Sequence, residues 1–179
     1  MSRHETAPEP FRGGPVRRAC ALALASAGGS GYLPFVPGTF GSAVTVAGYA
    51  ALVWAGAGAI GIAAAALLTI PLGIWSAGEA ERIYAARDDR RIVIDEVAGQ
   101  LIALWPITVL RPPESWLEPL PLLAGFLIFR AFDITKPGPI RWAERNFPDG
   151  QGVMFDDLLA GLFSALVMAA LLWLELFPA

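Results

Sequence analysis

From Ser42 to Gly78 the chain runs for 37 residues without one charged side chain. Wound as a single helix this stretch would be about 55 Å long at about 1.5 Å per residue, against a bilayer hydrocarbon core of about 30 Å. One straight crossing cannot use that length, but a helical hairpin can. Its break belongs at AGAGAIG (55–61), where small residues and glycine permit a turn. Across all 179 residues 55% are hydrophobic and 16% charged, and a soluble domain of this length has too little interior to hide that much apolar surface. The sequence therefore predicts an integral membrane protein.

After the hairpin legs (about 43–55 and 58–77) comes a polar loop, EAERIYAARDDRRIVIDE. Apolar runs follow at about 97–110 and 119–132, joined by RPPESWLEP, and the last run covers about 158–174. Several are short for full crossings, so the expected fold is an all-α, multi-pass membrane bundle with short, partly re-entrant helices. Pro106 predicts a kink in its run. The polar, proline- and glycine-rich N-terminus predicts a disordered tail over 1–15, with the membrane domain occupying 16–179. Basic residues ahead of ACALALASA imitate a signal peptide, but no soluble mature domain follows. Cys20 is the one cysteine, which excludes an intrachain disulfide, and the one histidine, His4, lies in the tail. A net charge of −3 argues against a nucleic-acid partner.

Followed along the chain, the polar stretches sort onto two faces. Segments 26–42, 79–96 and 133–157 share one, while 111–118 and the C-terminus share the other. Of 13 Lys and Arg residues only Arg111 falls on the second face, so the positive-inside rule makes the first cytoplasmic. Trp54, Trp116 and Trp173 then mark the far interface, Trp75 and Trp142 the near one.

Acids gather on the cytoplasmic face. IDEVAG places Asp95 and Glu96, and FDDLLAG places Asp156 and Asp157, in what reads as the first turn of a helix. Glu79 and Glu81 close the hairpin, and Asp133 follows the fourth run. One acid at a helix N-terminus is explained by capping and the helix dipole. Doubled acids at two helix mouths leave like-charge repulsion unrelieved, which a hard divalent cation with oxygen ligands would offset. Asp95 and Gly99 are four residues apart, as are Asp157 and Gly161, so each glycine shares its acid's face and allows a close helix crossing. The two acid pairs can then converge to hold Mg²⁺, with Glu79 as a further candidate ligand.

Cations complete the pattern. Arg130 and Lys136 lie near Asp133 in FRAFDITKPGP, a guanidinium fork and a point charge suited to one phosphate group. The glycine-rich segment 26–42 leads into a helix that Thr39 or Ser42 would cap, offering amides to an anion, and GQGV (150–153) is a second loop of that kind. No Walker A motif, no aspartyl-phosphate DxDx[TV] motif and no Cys-x₅-Arg motif occurs.

The motifs GSGYLPFVPGTFGS (29–42), DDRRIVIDEVAG (88–99), FRAFDITKPGP (129–139) and GQGVMFDDLLAG (150–161) together resemble the phosphatidylglycerophosphatase A family. They occur in family order, and the likeness covers about residues 26–175. Val36 stands where alanine is expected, and no charged motif residue is missing. The resemblance implies a small multi-pass enzyme of the bacterial inner membrane. It would hydrolyse phosphatidylglycerophosphate to phosphatidylglycerol and phosphate with Mg²⁺. The expected site comprises Asp95, Glu96, Asp133, Asp156 and Asp157 as catalytic acids, and Arg130, Lys136, Thr39 and Ser42 around the phosphate. Other functions compete with this one. A transporter would use the carboxylates as a cation path, and a CDP-alcohol phosphotransferase would need a D-G-x-x-A-R signature that is absent.

Overall fold

Four residues separate the two legs of the apolar stretch. The computed structural model describes residues 9–146 and 149–177, with the side chains of all of these except 143–146 and 149–153. Within them α2 (Pro37–Trp54) ends where Gly56 takes a left-handed φ of 89°, and α3 (Ala59–Tyr84) starts after Gly58. Ahead of this hairpin lies α1 (Pro15–Ala25). Behind it follow α4 (Ile94–Leu110), α5 (Pro119–Thr135), α6 (Gly138–Asn146) and α7 (Asp149–Trp173). The described residues form seven α-helices and no strand, as an all-α fold requires. Two stretches, Ala59–Tyr84 and Met154–Trp173, are long and apolar enough to cross a membrane. Residues 1–8 of the expected tail lie outside the described residues, 9–14 are not helical, and α1 starts at Pro15.

Three boundaries differ from the sequence expectation. Helix α3 runs on to Tyr84 instead of ending before Glu79, because Glu79 is buried between Arg82, 2.7 Å away on the next turn, and Arg17 of α1 at 2.9 Å. Neither Thr39 nor Ser42 caps α2; that helix begins at Pro37, whose ring presets a helical φ, and its N-cap Val36 supplies no side-chain bond. Residues 150–153 belong to α7 and not to a loop. Two glycines there disfavour helix locally, but tertiary packing overrides them: Met154 fits against Gly73 so closely that a Cβ on that glycine would lie 2.5 Å from its sulfur. Pro106 sits inside a continuous α4.

Helices α4 and α7 form the most extensive pair. A Cβ on Gly161 would lie 2.5 Å from the Gly99 carbonyl oxygen and 2.9 Å from its Cα, and one on Gly99 would lie 2.6 Å from the Asp157 carbonyl oxygen. Only glycine permits backbones this close. Around this crossing Leu104, Ile107, Met168, Tyr49 and Ile62 make the main core, and Ala77, Ala80, Ile94, Ala98 and Met154 make a second beneath the polar end.

The two ends of the bundle are chemically distinct. At one, Trp116 donates to the Arg111 carbonyl, Arg111 pairs with Glu118, and Trp105 donates to the Ala59 carbonyl. At the other, the loop after α3 is fastened by Val93 N–H to the Ala25 carbonyl at 2.8 Å and by Gly31 pressed on the Arg91 backbone. The Arg91 guanidinium also bonds Asp89, holding its carboxyl below the usual carboxylate range. Between these ends the outward faces are apolar. Leu67, Leu68, Leu123, Leu127, Leu162 and Leu166 are each at least half exposed.

Gly161→Val is expected to destabilise the protein by about 1–3 kcal/mol, because the added atoms meet backbone that cannot yield. Gly78→Ala, at a position where a Cβ meets nothing within 4 Å, should be neutral or stabilising. Thermal unfolding of the two variants in detergent would check this, and equal shifts would contradict the proposed contact.

Candidate metal centre

Helix α4 begins after Val93 with Asp95 and Glu96 in its first turn and no side-chain cap bond. Asp156 and Asp157 are placed differently from the sequence expectation. Helix α7 starts at Asp149, so the pair sits two turns inside it. Capping and the dipole act within the first turn and cannot account for acids there.

The Gly99–Gly161 crossing brings the two pairs together. One oxygen from each of Asp95, Glu96 and Asp157 lies within 4.8 Å of the others. Asp95 Oδ1, Glu96 Oε2 and Asp157 Oδ2 are all buried without a hydrogen-bond partner. Unmet buried carboxylate oxygens are costly, more so when they repel one another. This donor set is oxygen only, with neither imidazole nor thiolate, and so fits a hard cation better than a soft one.

Asp156, the adjacent residue, turns away to Lys136, whose Nζ lies 2.6 Å from its Oδ2. Lys136 gets there because α5 ends on it in a left-handed conformation with φ of 41°. Six residues earlier Arg130 pairs with Asp133 at 2.5 Å, lies 3.8 Å from Glu96 and donates to Ser42 Oγ at 3.4 Å, while its own Nε is buried without a partner. Asp133 in turn adjoins Asp157. Asp95, Glu96, Asp133, Asp156 and Asp157 thus gather around Arg130 and Lys136.

The N-terminus of α2 closes the site from a third side. Gly38 packs against Glu96 and Arg130 so tightly that a Cβ would lie 2.1 Å from Glu96 Oε1. Ser42 is fully buried, whereas Thr39 is half-buried. Glu79 stays apart from this group, held by Arg17 and Arg82. One residue escaped sequence reasoning. Gln100 is fully buried with both amide atoms unpartnered, one helical turn beyond Glu96. Its spacing of four from Glu96 was the available signal, and a glutamine in an apolar run was easily taken for ordinary packing.

The model of the phosphatidylglycerophosphatase A family matches residues 23–172. Phosphatidylglycerophosphatase A of Escherichia coli is 34% identical over 142 residues, covering 79% of this chain and 77% of that protein. Its namesake in Haemophilus influenzae is 36% identical over 149 residues, covering 83% and 86%. A Bacteroides thetaiotaomicron protein provisionally named a phosphatidylinositol-3-phosphatase is 37% identical over 154 residues, covering 81% and 89%. No solved structure shows a significant match.

If crowding of Asp95, Glu96 and Asp157 is relieved by a cation, Asp157→Asn should raise stability in EDTA and lose the gain that divalent ions give the wild type. Thermal unfolding across a Mg²⁺ titration measures both. A change of about 1 kcal/mol moves Tm by about 2–4 °C at this length. A wild-type protein indifferent to Mg²⁺, or a variant that keeps the full gain, would refute a metal role for Asp157.

Proposed function

The chain belongs to the phosphatidylglycerophosphatase A family, and from that premise we propose that it hydrolyses phosphatidylglycerophosphate to phosphatidylglycerol and inorganic phosphate with Mg²⁺. Membership makes it a lipid phosphomonoesterase. The choice of this lipid rests on the E. coli and H. influenzae relatives, and that of magnesium on the all-oxygen donor set. The observation that carries the assignment is the meeting of unpartnered Asp95, Glu96 and Asp157 oxygens beside Arg130 and Lys136.

In this proposal Asp95, Glu96 and Asp157 hold the ion, and Asp156, one residue from Asp157, steers Lys136. Bound there, Mg²⁺ supplies Lewis-acid neutralisation at the phosphoryl oxygens. Arg130 and Lys136 take the phosphate, leaving their carboxylate partners for substrate oxygens that carry more charge. Buried Ser42 orients Arg130, and the half-buried Thr39 offers its hydroxyl at the α2 N-terminus. Asp133 accepts a proton from water as the water oxygen bonds to phosphorus. The phosphorus–oxygen bond to the lipid breaks, and the departing alkoxide takes up the proton. Direct attack by an Asp, Thr39 or Ser42 is the competing route. The stereochemistry at a chiral phosphorus distinguishes the two: one in-line attack by water inverts it, and net retention would reject direct attack by water.

A multi-pass bundle embeds residues 16–179 behind a tail over 1–15, with the acid end at the cytoplasmic face of the bacterial inner membrane. Support comes from the exposed apolar belt and from Arg111 being, among the described residues, the one Lys or Arg at the opposite end. The buried carboxylate oxygens without partners gather at one end, and such a group does not make the through-going path a transporter needs.

Phosphate release from phosphatidylglycerophosphate and from phosphatidylinositol 3-phosphate, with and without EDTA, tests the assignment. The first lipid should be the better substrate and EDTA should abolish turnover. Asp95→Asn, Glu96→Gln, Asp156→Asn and Asp157→Asn should each lose about 100-fold or more in kcat, roughly 3 kcal/mol in the barrier. Preference for the inositol lipid would transfer the assignment to it, and EDTA-resistant turnover would remove the metal.

A further inference from the structure

Beside the acid cluster a cleft of about 380 Å³ opens between the end of α1 and helices α2, α3 and α4. Along α4 it runs from Ile94 to Leu101, and along α2 from Val44 to Leu52, spans of about 10 and 12 Å at about 1.5 Å per residue. Its upper rim touches the site through the chain itself. Ile94 precedes Asp95, Val97 follows Glu96, and Thr45 is one turn from the Ser42 that receives Arg130.

Two hydroxyls line the cleft, and both are already used. Thr45 donates to the Gly41 carbonyl and Thr69 to the Ala65 carbonyl, each at 2.8 Å. Both hydroxyl protons are thus spent within their own helices, and no charged side chain lines the space. A polar ligand would find nothing to bond there, whereas a hydrocarbon chain loses nothing by entering. The depth fits as well, since one leaflet's hydrocarbon is about 15 Å thick, half of the ~30 Å core.

We propose that this cleft binds one acyl chain of the lipid phosphomonoester and so registers its phosphate on Arg130 and the carboxylate cluster. This rests on the lipid phosphatase assignment above. The headgroup is then positioned by its own tail. Gly48, in the middle of the α2 wall, leaves the cleft open, and a Cβ there meets nothing within 4 Å.

Filling the cleft tests the proposal without touching the machinery. Gly48→Leu should fold normally and lower kcat/KM for dioleoyl phosphatidylglycerophosphate about 10-fold or more, while a water-soluble dibutyryl analogue changes by less than about 2-fold. Equal loss on both lipids, or none on either, overturns the cleft. A second arm reads binding without turnover, using a lipid phosphomonoester with a diazirine at one chain terminus and the full-length protein in vesicles. Labelling should concentrate at Leu52, Ala65 and Leu101 and fall in Gly48→Leu. Labelling spread over the outward leucines of α5 and α7 would mean generic bilayer contact and would also overturn the cleft. Failure of the wild type to release phosphate from either lipid strikes the assigned activity instead, with the labelling arm still deciding where the tail lies.

Discussion

Two glycines on different helices, Gly99 and Gly161, touch backbone to backbone, and the meeting of Asp95 and Glu96 with Asp157 follows from that contact. Side chains four residues apart on a helix stand one above the other, so a crossing at 99 and 161 presses the turn carrying Asp95 and Glu96 against the turn carrying Asp157. Attraction between carboxylates could never bring those oxygens together; packing does so against their repulsion. Dispersion along a long apolar interface, from the crossing out to Leu104 and Met168, holds the acids where electrostatics alone would scatter them. Such an arrangement fixes crowded carboxyl oxygens in place, a geometry that could hold a metal ion.

Around this centre, charges are dealt with in two ways. Glu79, Asp133 and Asp156 each have a cation of their own, supplied by Arg17 with Arg82, by Arg130 and by Lys136. Asp95, Glu96 and Asp157 keep oxygens with no partner at all. The first group resembles ordinary structural ion pairing, and the second departs from it, since buried polar atoms in folded chains are nearly always satisfied. The contrast between paired and unpartnered carboxylates singles out Asp95, Glu96 and Asp157 more sharply than the number of acids does.

Much of this was legible in the sequence. The hairpin followed from uninterrupted apolar length, and the convergence of DEVAG with DDLLAG from the matched spacing of acid and glycine. The boundaries that went astray share a cause. Local composition pointed to loop at 79–84 and at 150–153, but Glu79 is neutralised by an arginine 62 positions earlier, and Met154 seats on Gly73 across the bundle. Long-range partners of this sort leave no local trace. Gln100 was hidden for a related reason: its lack of hydrogen bonds is a property of its surroundings, not of its type. The cleft could not be read at all, being the space left among four segments.

Asp156 and Asp157 are consecutive, and one faces Lys136 while the other faces Asp95 and Glu96. A rigid helical turn joins them, with no loop between to absorb a movement. An anion that draws Lys136 away therefore alters the field and footing of the carboxylate next door. Thermodynamic reciprocity then requires that whatever occupies the Asp157 side change the affinity for that anion by the same factor. If a phosphate on Lys136 and a cation beside Asp157 are its two guests, neither can be indifferent to the other, and the messenger between them is a single peptide bond.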